Sequence, residues 1–172
     1  MKKKLASLVA FVFAACAALA DGIPSSVDKA EIPAYQKVRP DLATAAQPAP
    51  DAVRRLKEMG FRTVVNLRTP AEGTEKDRAV IEELGLRWVQ VPVSPASFST
   101  KDVEAVAKVL DDPAAGPTLL YCSSANRVGA VWVVYQVKKG KSADEALSEG
   151  RKIGLKSPQM IEAVERVLKP VN

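Results

Sequence analysis

Residues 118–137 read TLLYCSSANRVGAVWVVYQV, and this stretch decides the fold. Thr118 to Tyr121 is a short apolar run of strand length, and Val128 to Val137 is apolar almost all round, the mark of a central buried helix. Between them lie Cys122, Ser123, Ser124, Ala125, Asn126 and Arg127. A buried strand that feeds a buried helix through a short loop of small residues belongs to an open α/β sheet. Such sheets bind ligands at the carboxyl ends of their strands, so the loop should face a crevice.

Outward from this core, strand and helix patterns alternate. Asp51 can cap a helix to Met59, stopped by Gly60, and Arg62 to Leu67 is β-branched and bounded by turn residues, as a buried strand is. Glu75 to Leu84 reads as a helix and Arg87 to Val91 as a strand. Ser99 or Thr100 caps a helix to Leu110, with Val103, Val106, Ala107 and Leu110 on one face. Two further helices start at Ser142 and at Ser157-Pro158. Upstream, the proline-rich stretch from Asp21 to Pro50 predicts an extended segment with short edge strands near 35–39 and 42–45. The alternation predicts an α/β fold: a mainly parallel central sheet with helices on both faces.

The first twenty residues have a different purpose. Three lysines precede an apolar run from Leu5 to Leu19 and a small-residue exit at Ala18-Leu19-Ala20, the layout of a secretory signal peptide cleaved after Ala20. The organisation expected is therefore a signal peptide at 1–20, an extended segment at 21–34 and one domain at 35–172. The product would be exported, to the periplasm, with no membrane span left after cleavage. A lipobox ending at Cys16, which would become a lipid anchor, is the alternative. Removing residues 1–20 leaves 22 basic against 20 acidic side chains. With charges interspersed rather than striped, nucleic acid is not an expected partner.

The chain has no histidine, which excludes Ser-His-Asp triads, Cys-His dyads and the common zinc sites. After cleavage Cys122 is the only cysteine, and an unpaired thiol in an oxidising compartment is either inert and buried or reactive. Its neighbours favour the second. Backbone N–H groups curling into a helix N-terminus form an anion site that favours thiolate over thiol, and Arg127 adds a planar fork of donors for an oxyanion.

Cys122-Ser123-Ser124-Ala125-Asn126-Arg127 resembles the active loop of the cysteine-dependent phosphatases, most nearly the beta-lactamase-hydrolase-like phosphatase domain, a relative of dual-specificity phosphatases. Leu42 to Pro48, ending Gln47-Pro48, resembles that family's first strand and turn, and Gly60 to Thr69 (GFRTVVNLRT) resembles its strand ending in Asn-Leu-Arg. The resemblance implies a cysteine-phosphatase-like fold. It also implies hydrolysis of a phosphorylated protein or a small phosphomonoester through a cysteinyl-phosphate, without metal or organic cofactor. Cys122 would be the nucleophile and Arg127 the oxyanion clamp. Ser123, Ser124, Ala125 and Asn126 would bind through the loop backbone, and Arg68 would point into the same crevice.

Four residues separate Cys122 from Arg127, as in many rhodanese-type sulfurtransferases, where tyrosine phosphatases have five. Tyr121, Ala125 and Val128 replace a His, a Gly and a hydroxyl residue of the phosphatase pattern. Pro92 to Phe98, where dual-specificity phosphatases usually keep their general acid, contains no Asp. Asp102 and Glu72 are the candidate substitutes, each read first as a cap or solvated charge. A sulfurtransferase carrying a Cys122 persulfide and a non-catalytic phosphoanion- or protein-binding module remain as alternatives.

Overall fold

The computed structural model describes residues 22–169, so the expected signal peptide at 1–20 and the alternative lipid anchor at Cys16 lie outside the described residues. Five strands form one sheet in the order β1-β2-β5-β3-β4: β1 Gln36–Arg39, β2 Leu42–Ala45, β3 Thr63–Asn66, β4 Arg87–Gln90 and β5 Thr118–Tyr121. Only β1 runs antiparallel to its neighbour, and the remaining pairs are parallel. Six helices accompany them: α1 Pro50–Arg55, α2 Glu75–Glu83, α3 Thr100–Leu110, α4 Asn126–Lys138, α5 Ala143–Ile153 and α6 Pro158–Leu168.

Side-chain alternation along each strand divides the core in two. Leu119 and Tyr121 face Val53 of α1, Leu56 just after it and Ile81 of α2, while Leu120 and Cys122 join the cluster built from α3, α4, α5 and α6. Helices cover both faces, as the alternation requires. Each Leu or Val buried in these clusters stabilises by about 1.5–3 kcal/mol, so a one-residue slip of β5 would be prohibitive.

The structure departs from the sequence reading at β2 and at α1. β2 is an interior strand between β1 and β5 with all four residues buried, because the prolines flank Leu42–Ala45 without interrupting it. The helix expected to reach Met59 ends at Arg55, and turns carry the chain through Gly60. Asp51 lies in its first turn rather than at its cap, which is Ala49.

The register fixes where the site must be. Ala45 and Asn66 both pair with Tyr121, and Gln90 pairs with Asn66, so β2, β5, β3 and β4 end together at one edge. Behind that edge α4 and α5 cross closely, which Gly129 and Gly150 permit: a Cβ on Gly129 would lie 2.6 Å from the Gly150 carbonyl oxygen and 2.8 Å from Leu155. The close crossing of α4 and α5 brings the α5–α6 turn onto the loop after β5.

Candidate active site

Cys122 follows β5 directly and is 0% exposed. Ala125 caps α4 with φ 62° and ψ −2°, the left-handed conformation that a glycine adopts freely and an alanine adopts at a cost of about 1–2 kcal/mol. Packing holds it there. Gly154 lies so close that a Cβ on it would stand 2.8 Å from Ala125 Cβ. Asn126 secures the same contact from the other side, its Oδ1 accepting the backbone N–H groups of Lys156 and Ser157, both at 2.8 Å. Asn126 thus braces the loop through its side chain.

Arg127 is the second residue of α4, 14% exposed, and its guanidinium folds back over the loop. Nη1 donates to Glu72 Oε2 at 2.7 Å and to the carbonyls of Val93 and Leu67 at 3.2 and 3.3 Å. Nη2 donates to Glu72 Oε1 and to Ser123 Oγ, each at 2.8 Å. Ser123 Oγ in turn donates to Glu72 Oε1 at 2.5 Å. A bidentate ion pair and one hydroxyl therefore fix the clamp in a closed triangle, in which none of these bonds uses Nε.

Glu72 is accordingly neither a solvated charge nor a free acid. Besides the pair with Arg127, it closes a capping box with Thr69 at the short 3₁₀ turn Pro70–Glu72, accepting the Thr69 N–H at 2.8 Å. The Arg127 hydrogen bonds hold its carboxyl well below the usual carboxylate range, outweighing the opposing effect of burial. The same contact pushes the Arg127 guanidinium up, with the Cys122 sulfur contributing Coulombically. The other candidate acid, Asp102, accepts the N–H and hydroxyl of Ser99 at 2.8 and 3.0 Å in the capping box of α3. It is a cap.

Because the Glu72 pKa is lowered on folding, its stabilisation is complete above the unfolded value of about 4.3 and is lost as pH falls towards the folded one. Glu72→Gln is expected to lower stability by about 1 kcal/mol at neutral pH, a small figure because the side chain is 30% exposed. The gap between wild type and variant in thermal melts should be flat from about pH 6 to 8 and narrow below about pH 4. A gap that widens on acidification would remove Glu72 from this role.

Arg68 sits beside the loop, 15% exposed, but its guanidinium is engaged by protein. Nη1 donates to Gln47 Oε1 at 2.7 Å and Asp77 Oδ2 at 3.2 Å, Nη2 donates to the Glu72 carbonyl, and Nε lies 3.8 Å from Glu72 Oε1. The expected direct role at the crevice is therefore replaced by support of the Glu72 turn. Tyr121 shares this network, its hydroxyl donating to Asp77 Oδ2 at 3.2 Å, and burial together with Asp77 pushes its pKa far up. Gln47 adds a second link, its N–H reaching the Ser123 carbonyl at 3.4 Å. Sequence reasoning missed Asp77, for which α2 offers no distinguishing signal, and Ser157, which bears on the loop only through the chain fold.

Beside Arg127 opens a cleft of about 340 Å³, lined by Thr69, Glu72, Ser94, Pro95, Asn126 and Ser157 among others. A buried sulfur at a helix N-terminus, an arginine fork and a neighbouring cleft are the parts an oxyanion-transferring site needs. Comparison with known proteins agrees. The family described as "Beta-lactamase hydrolase-like protein, phosphatase-like domain" matches residues 34–139, well over half of the chain. The protein belongs to this family. Membership bears out the resemblance, and the structure bears out the mainly parallel α/β fold.

A beta-lactamase hydrolase-like protein of Xylella fastidiosa (strain 9a5c) is 26% identical over 131 residues, covering 73% of this chain and 30% of that protein. Its counterpart from strain Temecula1 is 27% identical over 105 residues, covering 58% and 24%. The chain spans less than a third of the length of these relatives. Among solved structures, TpbA of P. aeruginosa is similar with TM-score 0.64 at 23% identity, covering 83% of this chain and 86% of that one. The catalytic core of the S. cerevisiae PP-IP phosphatase SIW14 gives 0.63 at 15% identity, covering 78% and 85%. At these identities they share the fold.

Proposed function

We propose that the protein hydrolyses phosphate esters through a phosphocysteine on Cys122. The observation that carries this reading is the Arg127 fork, held by Glu72 and Ser123 directly over the loop that begins at the buried Cys122. Loop N–H groups and the N-terminus of α4 stabilise charge on the transferring phosphoryl group, and an incoming phosphoryl oxygen exchanges for the Ser123 hydroxyl on Nη2. The Cys122 thiolate forms an S–P bond as the ester P–O bond breaks and the alcohol oxygen leaves with the bonding pair, taking its proton from solvent. Water then attacks phosphorus, the S–P bond breaks, and inorganic phosphate leaves with the thiolate restored.

The four-residue spacing between Cys122 and Arg127 favours a second reading, sulfur transfer through a Cys122 persulfide. One paired assay separates them: aryl-phosphate hydrolysis and thiosulfate-to-cyanide sulfur transfer on the same preparation. Fast phosphate release with negligible thiocyanate is expected, and the reverse would install the sulfurtransferase. Neither activity, with phosphate still bound, would leave a phosphoanion-binding module.

We place this activity outside the cytoplasm, on the strength of the signal-peptide pattern at residues 1–20. Among the described residues no helix is long and apolar enough to cross a membrane. Amino-terminal sequencing of the processed protein should begin at Asp21, whereas a lipidated Cys16 at the amino terminus would show anchoring instead.

A further inference from the structure

We infer that Asp77 is a positioning residue for this site: from the opposite face of the sheet, one of its carboxylate oxygens holds both the strand end that carries Cys122 and the turn that orients Arg127. The inference rests on Cys122 acting as the phosphoryl acceptor and adds to that reading what keeps sulfur and guanidinium in line. Asp77 is the third residue of α2 and does not line the cleft. Its Oδ2 accepts three donors: Gln47 Nε2 at 2.8 Å, and Arg68 Nη1 and the Tyr121 hydroxyl at 3.2 Å each. These donors belong to three segments far apart in sequence, which meet where β2, β3 and β5 end.

Each donor reaches the site by its own route. Tyr121 ends β5 in the core cluster under α1 and α2, and Cys122, the next residue, enters the cluster on the other face, so the tyrosine hydroxyl fixes the strand end from which the nucleophile projects. Gln47 donates its backbone N–H to the Ser123 carbonyl at 3.4 Å, one residue further along the loop. Arg68 donates to the Glu72 carbonyl, and Glu72 grips Arg127 with both carboxylate oxygens. The tethers also brace one another. Gln47 Oε1 accepts Arg68 Nη1 at 2.7 Å, and the Arg68 backbone is held by Asn66 Oδ1 at 2.9 Å and Gln90 Nε2 at 3.0 Å.

A carboxylate suits this place because all three partners need an acceptor. Asp77→Asn keeps the volume but presents two N–H groups of its own to an amide N–H, a guanidinium and a hydroxyl, so the three tethers cannot all survive. The loss should fall on the transition state more than on the ground state. Bound phosphate can settle against a displaced fork, whereas in-line transfer needs the Cys122 sulfur, phosphorus and Arg127 in register. A misplacement of about 1 Å costs about 10²-fold in rate.

The test compares wild type, Asp77→Asn, Tyr121→Phe and the double variant on 4-nitrophenyl phosphate and phenyl phosphate, with folding checked by circular dichroism. Asp77→Asn should lower kcat by about 10²-fold on both esters, while KM and inhibition by inorganic phosphate change less than about fivefold. Tyr121→Phe deletes one tether and leaves the ring in place, so kcat should fall about tenfold, and the double variant should lose little more than Asp77→Asn alone because the two groups act as one unit. A folded Asp77→Asn with kcat within about threefold of wild type would overturn the inference and leave Asp77 a purely stabilising residue. A loss confined to phenyl phosphate, the poorer leaving group, would overturn it by making Asp77 a proton donor, and fully additive losses would overturn the route through Tyr121. Should Asp77→Asn not fold, Tyr121→Phe decides, and kcat within about twofold of wild type overturns the inference. Phenyl phosphate hydrolysis that survives Cys122→Ser would instead overturn the phosphocysteine reading itself.

Discussion

Cys122→Ser should abolish phosphate-ester hydrolysis, lowering turnover by at least about 10⁴-fold while leaving the fold intact. A serine hydroxyl at this position has no base to activate it: the chain contains no histidine, and the nearest carboxylate of the clamp, Glu72, is already committed to Arg127 and Ser123. Oxygen for sulfur is a small change in volume, and the position is fully buried beside Leu120 and Val128 in one core cluster. The hydroxyl brings a polar group into that cluster, so a stability loss of about 1–2 kcal/mol should accompany the kinetic loss. Circular dichroism and thermal melts check the fold, and acid-quenched labelling with radioactive aryl phosphate checks for the phosphoenzyme in wild type. Residual hydrolysis above about one per cent of wild type would mean that Cys122 is not the nucleophile.

How far the sequence could be read depended on how local the deciding interactions are. β5, its loop and α4 were legible because one continuous stretch carries both the change from strand to helix and the sole cysteine of the described residues. β3 and β4 were legible for the same reason, through short β-branched or aromatic runs bounded by turns. β2 looked like an edge because prolines flank it. Its interior position comes from pairing with β5, some 75 residues on, and no local pattern encodes that.

The site divides along the same line. Cys122 and Arg127 are five positions apart and were readable together. Glu72 acts on Arg127 and Ser123 across sequence separations of 55 and 51 residues, so its local signature was only that of a capping residue behind Thr69. Arg68 was expected at the crevice because it follows the strand end. The fold turns it instead towards Gln47 and Asp77, partners that β2 and α2 deliver from elsewhere. Asn126 was expected to brace the loop, but the partners it braces against, the amides of Lys156 and Ser157, follow from the close α4–α5 crossing at Gly129 and Gly150.

Arg127→Lys should lower kcat/KM by about 10²–10³-fold, the range observed when a preorganised oxyanion donor is removed. The ammonium keeps the charge but loses the fork. A lysine is shorter in donors and cannot hold both Glu72 oxygens, the Leu67 and Val93 carbonyls and Ser123 at once, so the closed triangle over Cys122 opens. If the fork acts on the transition state, kcat and kcat/KM should fall together, with KM little changed. If it contributed only ground-state attraction, KM alone would rise. Inhibition by inorganic phosphate provides a readout separate from chemistry and should weaken in the variant. Turnover near wild type would show that Arg127 is not the clamp, and a loss of helical circular dichroism would assign its hydrogen bonds to holding Glu72, Leu67 and Val93 in place rather than to the reaction.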